Sequence, residues 1–270
     1  MSDQASEEKI RTLIHEYVDE IRAELHERWK LWPLDLTKKE VHEVVGALLA
    51  REVSLATHLA LAPVIWNGHI APLILRSMVD GYISLAWIFV EPVDRSRKYI
   101  LYGLGQEKLE IEHRKKLMED EGRSPDDDPS ISKREKWLNS QRFTFLTEVN
   151  VGSWSGADAR TMAVEAECSS LYHYAYVPFS AATHNMWHHV SRYNLTKCPN
   201  PLHAYHRIPV SLSIPPDVDY VYRAAKYVDK AFKLFDDKTG VKIGLPSTLD
   251  IFVAGIESFD KEQAAESNTE

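Results

Sequence analysis

The sequence predicts an all-α protein that folds as a single bundle of eight or nine helices. Apolar residues recur at intervals of three and four along most of the chain, which is the period of an amphipathic helix. Residues that favour helix starts precede several of these segments, and no two neighbouring segments alternate as paired strands do. The chain has 270 residues, 44% of them hydrophobic, so it is long enough to bury a sizeable core.

The first two helices are predicted from periodicity and from capping residues. Apolar residues within 10–25 follow Ser6 at helical spacing. Residues 37–40 (Thr-Lys-Lys-Glu) match a capping box, in which the first and last side chains satisfy free backbone N–H groups. The helix behind this box should end before Pro63, because proline cannot continue a helix.

Two further helices are predicted around the most apolar part of the chain. Pro72 suits a first helical turn, so a third helix should run from there to Val90. Asp94 is the expected cap of a fourth helix, which ends near Asp120. Glycine inside a helix costs about 1 kcal/mol relative to alanine, so we expect Gly103 and Gly105 to allow a close helix contact.

The middle of the chain is predicted to contain a loop and two helices. Residues 119–131 are acidic and contain proline, so we expect a mobile loop there. Residues 132–135 (Ser-Lys-Arg-Glu) match a second capping box, for a helix that runs to about Thr147. Asp158 should begin the next helix, and Pro178 should break or kink it.

The C-terminal third is predicted to be a helix, a proline-rich loop and two more helices. Helical structure should resume over 179–192, which contains the histidine-rich segment. Residues 197–216 contain five of the 13 prolines, so this loop should be unable to join a helix or a sheet. Helices are predicted at 217–236 and from Ser247. The domain should span residues 1–258, followed by a polar tail at 259–270.

Composition excludes several classes of protein. The 32 basic and 40 acidic residues give a net charge of −8, which argues against a dedicated DNA-binding protein. Cys168 and Cys198 are expected to be reduced thiols in a cytoplasmic protein, since residues 1–20 lack the apolar run of a signal peptide. The apolar residues 59–90 are interrupted by charges and prolines, so no membrane span is expected.

Arg76 and Asp80 are the first candidate site residues. They stand four residues apart, and therefore on one face, of a helix that is apolar nearly all round. A charge in such a helix must be paired, so the two side chains can form a structural ion pair. Removal of Asp80 would then leave the buried charge of Arg76 without a partner. Alternatively, Asp80 can hold the planar guanidinium toward an anion such as a phosphate.

A histidine cluster supplies the second group of candidates. Ser180, His184 and His188 recur every four residues and would share a face of one helix. Histidine titrates near neutral pH, so one of them could act as a general acid or base. His203 and His206 lie in the proline-rich loop shortly afterwards, beside Arg207. We expect this loop to fold over the Arg76 region as a lid or wall and to contact the substrate.

A metal site is the weaker interpretation of these histidines. His-x3-His is a ligand spacing, and Glu110 to His113 supplies one Glu-x-x-His motif. A di-iron bundle needs two such motifs on separate helices, and no pair of cysteines has zinc spacing. We therefore expect no metal and no cofactor.

The segment Leu75–Tyr82 resembles a bacterial helical family known only as a domain of unknown function. Its members carry an Arg-x3-acid pair on one apolar helix, and Ser-x3-His on a later helix after an aromatic run. Arg76/Asp80 and Ser180/His184, the latter after residues 172–176, match this pattern. The resemblance covers about residues 65–210, with aspartate where the family usually has glutamate.

This family is in turn distantly similar to HEPN-type helical proteins. The resemblance implies a helical protein that is often dimeric, and many HEPN proteins are metal-independent ribonucleases in antiviral defence or toxin systems. Their Arg-x4-6-His motif lies on one helix, and Arg51 and His58 match its spacing here.

The functional hypothesis is a HEPN-like protein that acts on RNA or a nucleotide, assembled as a homo-oligomer or with a protein partner. Arg76 would stabilise phosphate charge, Asp80 would orient it, and His184 would be the acid or base, with Ser180 and His188 assisting. Two alternatives remain open. One is a non-catalytic interaction protein, in which Arg76 and Asp80 are structural, and the other is a metal-binding bundle.

Overall fold

Helices make up most of the chain in the computed structural model, which describes residues 2–141 and 153–267. The predicted all-α class is confirmed. The described α-helices are α1 (Ser2–Leu31), α2 (Lys39–Ala60), α3 (Ala71–Ile88), α4 (Pro92–Asp120), α5 (Pro129–Asn139), α6 (Ala159–Glu165), α7 (Ser169–Leu171), α8 (Val177–Thr183), α9 (Trp187–Tyr193), α10 (Asp219–Thr239) and α11 (Thr248–Ser267).

Shorter elements connect these helices. Among the described residues, three of them are 3-10 turns, at Leu36–Lys38, Pro63–Ile65 and Pro125–Asp127. A π-helix at Tyr172–Tyr176 joins α7 to α8 without a break. Two short strands, β1 (Leu195–Lys197) and β2 (Arg207–Pro209), pair as an antiparallel hairpin.

Helices α2, α3 and α10 pack against one another at the centre of the fold. Helix α10 buries one stripe, which includes Val221, Val228 and Phe235, because its apolar residues recur at helical spacing. Helix α3 is buried on most of its circumference and also contacts α6, α8 and the π-helix. The apolar sequence of α3 is therefore explained by its central position.

A second, smaller core joins α4 to α5. Apolar side chains seven residues apart on each helix meet between the two helices, and they are Leu104, Ile111 and Met118 from α4 with Ile131 and Leu138 from α5. Arg134 of α5 reinforces this contact, with its Nε and Nη2 atoms 2.6 and 2.8 Å from the carboxylate of Glu107 on α4. The α4–α5 pair in turn packs on α2 through α4.

Both predicted capping boxes are wrong. Before α2, the carboxylate of Asp35 accepts from the backbone N–H and the hydroxyl of Thr37, so Thr37 lies in a 3-10 turn instead of capping the helix. The carboxylate of Glu40, the other end of the proposed box, pairs with Arg97 at 2.6 Å. Thr37 therefore bonds to a local partner, Asp35, and Glu40 bonds to a tertiary partner, Arg97, instead of capping the helix.

The second box fails for the same reason. Asp128 caps α5 by accepting from the N–H of Ser130, which places Ser132 inside the helix. Glu135 instead pairs with Lys115 of α4. Helix α5 ends at Asn139, and the predicted extension to Thr147 falls largely outside the described residues.

Two other predicted helix starts have different outcomes. Asp158 caps α6 as predicted, with its carboxylate accepting from the N–H of Thr161 at 2.7 Å. Asp94 lies in the first turn of α4, which begins earlier, at Pro92. The expected close contact is not found at Gly103, because a Cβ there would have no atom of another described segment within 4 Å.

The region around Pro178 departs furthest from the prediction. The helix predicted from Asp158 does not reach Pro178, because α6 ends at Glu165 and Glu167 adopts a left-handed conformation. A π-helix directly precedes Pro178, which lies in the first turn of α8. The continuous helix predicted for 179–192 is wrong, because α8 ends at Thr183. Asn185 then adopts a left-handed conformation with φ of 51°, a common way to end a helix.

The proline-rich loop forms a hairpin, so the prediction that it could not join a sheet is wrong. Pro209 pairs with Leu195 at the end of a two-stranded ribbon, where its missing N–H removes no bond from a central strand. The side chain of Arg207, at the start of β2, donates to the carbonyl of Ser191 in α9. Helix α11 continues through most of the expected polar tail, to Ser267.

Among the described residues, no helix combines the length and the apolar character that a bilayer crossing requires.

A buried charge network ties both ends of the chain to α10. The guanidinium of Arg28 on α1 lies 2.6 Å from the carboxylate of Glu24 and 2.9 Å from each carboxylate oxygen of Asp236. Glu24 also accepts from the backbone N–H and the hydroxyl of Thr248, both at 2.6 Å, at the start of α11. Arg28 and Glu24 are buried, so each depends on the other for compensation.

We predict that Arg28→Ala lowers the free energy of unfolding by about 3–5 kcal/mol, because it leaves the buried carboxylate of Glu24 uncompensated. Urea denaturation followed by circular dichroism would measure the change. The control is Arg22→Ala on the same helix, which removes an exposed side chain and should cost under about 1 kcal/mol. Equal effects of the two substitutions would contradict the network's role.

Candidate functional site

Arg76 is a buried charge in the central helix α3, and its guanidinium has partners from two segments. Its Nη1 atom lies 2.9 Å from Oδ2 of Asp80, one turn later on α3. Its Nε atom donates to the hydroxyl of Ser180 on α8 at 2.9 Å. Three of the predicted site residues therefore meet, although Ser180 lies more than one hundred residues along the chain from Arg76.

The π-helix supplies the third partner. The guanidinium carbon of Arg76 lies 3.2 Å from the centre of the Tyr176 ring, in a cation–π contact. The hydroxyl of Ser180 donates to the Tyr176 carbonyl at 2.7 Å while it accepts from Arg76. Burial, together with the charge of Asp80, raises the pKa of the Tyr176 phenol. These contacts hold Arg76 against α8 and leave Asp80 as its only described carboxylate partner.

Asp80 projects from this cluster into a cleft of about 520 Å³. Its side chain is 53% exposed, whereas that of Arg76 is 11% exposed. The cleft lies between α2, α3, α4 and the segment that leads into α6. The polar and aromatic side chains among its described lining residues are Arg51, Ser77, Asp80, Ser84, Tyr99, Tyr102, Ser153 and Trp154.

Arg51 brings a positive charge to the cleft. Its side chain is exposed, and no carboxylate among the described residues forms an ion pair with it. Its neighbour in sequence is Glu52, whose carboxyl points to the other side of α2 and into the core. Among its described lining residues, the cleft therefore presents one cation, Arg51, and one carboxylate, Asp80, which Arg76 orients.

Glu52 is a buried acid between α2 and α3. Within the described parts of the chain, neither of its carboxyl oxygens has a hydrogen-bond partner. Burial raises the pKa of this carboxyl well above 4.5, although the charge of Arg51 opposes the shift. Gly81 makes room for it, since a Cβ there would collide with Oε1 of Glu52. Burial therefore favours the neutral form of Glu52, which offers no charge to cancel that of Arg51.

The cleft exists partly because position 103 carries no side chain. Gly103 of α4 lines it between Tyr99 and Tyr102, and the space beside the Gly103 Cα is open. The rings of Tyr99 and Trp154 meet edge to face, with centroids 4.9 Å apart, and form one wall. Gly103 destabilises α4 relative to alanine, and what lies beside it is open space instead of a closely packed helix.

The predicted histidines are placed elsewhere. His184 follows the last residue of α8, and His188 lies in α9, so they do not share one helix face with Ser180. Both side chains are exposed, and neither forms a hydrogen bond or ion pair with Arg76 or Asp80 in the described ranges. Their catalytic roles stay a prediction.

His203, His206 and Arg207 belong to the β1–β2 hairpin. None of them is among the described lining residues of the cleft, and no described hydrogen bond joins the hairpin loop to the Arg76 cluster. The expected wall over Arg76 is therefore not supported. His203 and His206 instead approach Cys198, a combination that the spacing of the cysteines did not indicate.

Few sequence patterns point to this cleft. Arg51 stands only in an Arg-x6-His pattern with His58, and no motif singles out Tyr99 or Tyr102. A signal for Glu52 was available, because it falls on the buried stripe of α2 with Val45, Leu49, Val53 and Ala56. A charged residue on an apolar helix face was the same signal that identified Arg76.

The fold and this cleft define the chain as a helical protein with a charged cleft that is lined by aromatic side chains. The model of the Family of unknown function (DUF5677) matches residues 42–200, more than half of the chain. The protein therefore belongs to that family, which confirms the resemblance to an uncharacterised family. The matched range contains Arg51, Asp80 and Ser180 and ends before His203. No curated protein and no solved structure matches the chain.

We predict that Asp80→Ala lowers the free energy of unfolding by about 1–3 kcal/mol, the cost of an unsatisfied buried donor. This loss of stability is smaller than the loss expected for a fully buried ion pair. Asp80 is half exposed, and Arg76 keeps its contacts with Ser180 and Tyr176 in the variant. Asp219→Ala is the matched control, since its i,i+4 pair with Arg223 is exposed and should be worth under about 1 kcal/mol. Chemical denaturation of both variants checks this, and an Asp80 effect no larger than the control would show that the pair carries no stability.

We also predict that Glu52 makes the protein less stable as the pH rises. The unfolded chain releases the Glu52 proton near pH 4.5, while the folded chain keeps it, so the unfolding free energy falls above that pH until the folded pKa is reached. The slope from this group is at most about 1.4 kcal/mol per pH unit. Glu52→Gln should remove it.

Denaturation of both proteins between pH 4.5 and 8 measures this difference. Glu43→Gln, an exposed change on the same helix, should leave the wild-type dependence intact. A Glu52→Gln protein that loses stability with pH as the wild type does would contradict a neutral Glu52.

Proposed function

We propose that this protein binds a nucleotide in the cleft beside Arg76 and Asp80. The proposal is carried by one observation: a positive and a negative side chain, Arg51 and Asp80, both line a cleft that has aromatic walls. Arg51 has no carboxylate partner among the described residues, and Asp80 is fixed by Arg76 with part of its carboxylate exposed. A nucleotide offers a chemical group for each feature: an anion, hydrogen-bond donors and a flat ring.

The phosphate would bind Arg51. A guanidinium matches phosphate geometry with two parallel N–H donors, and such charge-assisted bonds are about twice as strong as neutral ones. Because burial favours the protonated form of Glu52, its carboxyl competes less with a phosphate for Arg51. The raised pKa of Glu52 thus supports an anion at Arg51.

The sugar and base would occupy the rest of the cleft. An ionised carboxylate only accepts hydrogen bonds, so Asp80 would receive them from ribose hydroxyls or from base N–H groups. Aromatic side chains stack on bases with little dependence on sequence, and Tyr102 and Trp154 would provide such surfaces. A volume of about 520 Å³ lies within the range of small-molecule pockets.

The charge of the whole chain favours a small ligand over a long nucleic acid. Binding to a polynucleotide depends on many Lys and Arg contacts to phosphates, and a basic domain is its usual sign. This chain carries a net charge of −8. A single local cation within an acidic protein suits one phosphate group better than a backbone of them.

The proposal also includes the wider hypothesis that the sequence suggests. It includes a distant HEPN relationship, a cytoplasmic location, a homo-oligomeric assembly and metal-independent cleavage of RNA in defence or toxin systems. The described lining residues of the cleft include no histidine, so the proposal is one of binding. Cleavage through His184 stays a prediction, to be tested on Arg76→Ala and His184→Ala with an RNA substrate and no added metal.

Isothermal titration calorimetry with the four ribonucleoside 5′-monophosphates tests the proposal. We expect at least one to bind, with affinity that falls as salt is added. Arg51→Gln should weaken binding by about tenfold or more, since a hydrogen bond to a charged group is worth about 1.5–3 kcal/mol. Gly103→Phe should abolish binding by filling the cleft.

Gly103→Ala is the control, because it adds one methyl group at the same position and should improve helix stability by about 1 kcal/mol. It should fold and keep most of the affinity. The open space at position 103 means that Gly103→Phe should also fold, as circular dichroism can verify. Absence of binding by all four nucleotides, or unchanged affinity in Gly103→Phe, would overturn the proposal.

A further inference from the structure

We infer that the loop between β1 and β2 binds a zinc ion through Cys198, His203 and His206. One candidate ligand atom from each of these residues lies within 4.8 Å of the other two. The three residues fall within nine positions of the chain, in the pattern Cys-x4-His-x2-His. This site is separate from the nucleotide cleft and does not depend on the proposed function.

The hairpin brings the outer two residues together. Cys198 directly follows β1 and His206 directly precedes β2, so strand pairing places them opposite each other. The backbone N–H of Cys198 donates to the carbonyl of His206 at 3.1 Å, which extends the ladder by one step. Their juxtaposition is therefore fixed by the backbone.

Two turns inside the loop bring in the third residue. The N–H of His203 donates to the carbonyl of Asn200, and the N–H of His206 donates to the carbonyl of His203, each at 3.1 Å. These turns place the Nδ1 atom of His203 3.6 Å from the sulfur of Cys198. The side-chain amide of Asn200 contacts the other ring nitrogen at 3.2 Å and so orients the ring.

These separations suit a zinc ion. Zinc binds cysteine sulfur at about 2.3 Å and histidine nitrogen at about 2.0–2.1 Å in tetrahedral geometry, which places sulfur and nitrogen about 3.6 Å apart. The Cys198–His203 pair already has this separation. The ring of His206 lies 5.4 Å from that of His203, between centroids, so a small rotation would complete the set.

The donor types select the metal. One thiolate and two imidazoles, with no carboxylate in the group, disfavour the hard cations magnesium and calcium, which take oxygen ligands. Zinc accepts sulfur and nitrogen together. Binding would transfer the thiol proton of Cys198 to solvent, because the thiolate is the ligand.

The site would retain an open position. Cys198, His203 and His206 are the three ligands that the described chain supplies, and His203 and His206 are exposed. A tetrahedral zinc ion would therefore carry water at its fourth position, as zinc ions with three protein ligands do in catalytic sites. His203 and His206 also lie beyond the range matched by the family, so the site would be a feature of this chain rather than of the matched region.

Metal titration of the full-length protein tests this inference. After treatment with a chelator, Co²⁺ should bind one ion per chain with a thiolate-to-cobalt charge-transfer band, and Zn²⁺ should displace it. Cys198→Ser should abolish the band. His203→Ala and His206→Ala should weaken binding by more than about 100-fold, since loss of an outer-shell partner alone costs about 10- to 100-fold.

Cys168→Ala and His188→Ala are the matched controls. Cys168 is the other cysteine and is buried, and His188 is an exposed histidine on the neighbouring helix α9. Both variants should bind cobalt and zinc as the wild type does. A band that survives in Cys198→Ser, or no binding of either ion by the wild type, would overturn the inference.

Limited proteolysis of the wild-type protein gives a readout that needs no variant. Lys197 and Arg207 flank the loop and are exposed, so trypsin can cleave after both. Zinc should slow cleavage at these two positions while leaving cleavage at Arg11 of α1 unchanged. Equal rates with and without zinc at Lys197 and Arg207 would contradict a metal that closes this loop.

The metal titration also tests the open fourth position. A stoichiometry of one ion per two chains would overturn it.

Discussion

The burial of one guanidinium constrains the centre of this protein. Arg76 lies on a helix whose other residues are mostly apolar, and a buried charge is tolerated only when its donors are satisfied. Asp80 satisfies one donor from the same helix, while Ser180 and the Tyr176 ring come from the π-helix and α8. The need to compensate Arg76 therefore docks a distant segment onto α3 and fixes the orientation of Asp80.

The electrostatics of the cleft follow from burial on either side of α2. Arg51 and Glu52 are adjacent in sequence, and two exposed side chains of opposite charge would largely cancel. Helical geometry sends Glu52 into the core, where the absence of described partners and the loss of solvent favour its neutral form. Arg51 stays in solvent with its charge intact. Burial of the acid thus gives the cleft a positive charge that composition alone would not indicate.

Local sequence rules failed where a tertiary partner offered a stronger interaction. The Thr37 and Glu40 side chains satisfy the pattern of a capping box, yet Asp35 and Arg97 bind them instead. Likewise, His184 and His188 have helical spacing, but the chain turns at Asn185 and separates them. Cys198 has no second cysteine at zinc spacing, and only the pairing of β1 with β2 places it near His203 and His206.

The sequence by itself determined the helical class, the central position of α3 and the pairing of Arg76 with Asp80, because each depends on residues less than a few turns apart. Periodicity and i,i+4 spacing are local properties that survive in any tertiary arrangement. Only the tertiary structure decided that Ser180 and Tyr176 complete the Arg76 cluster, that Glu52 is buried, and that Gly103 borders a cleft. These outcomes depend on which helices meet, and helices far apart in sequence meet according to packing over the whole core, which no short motif encodes.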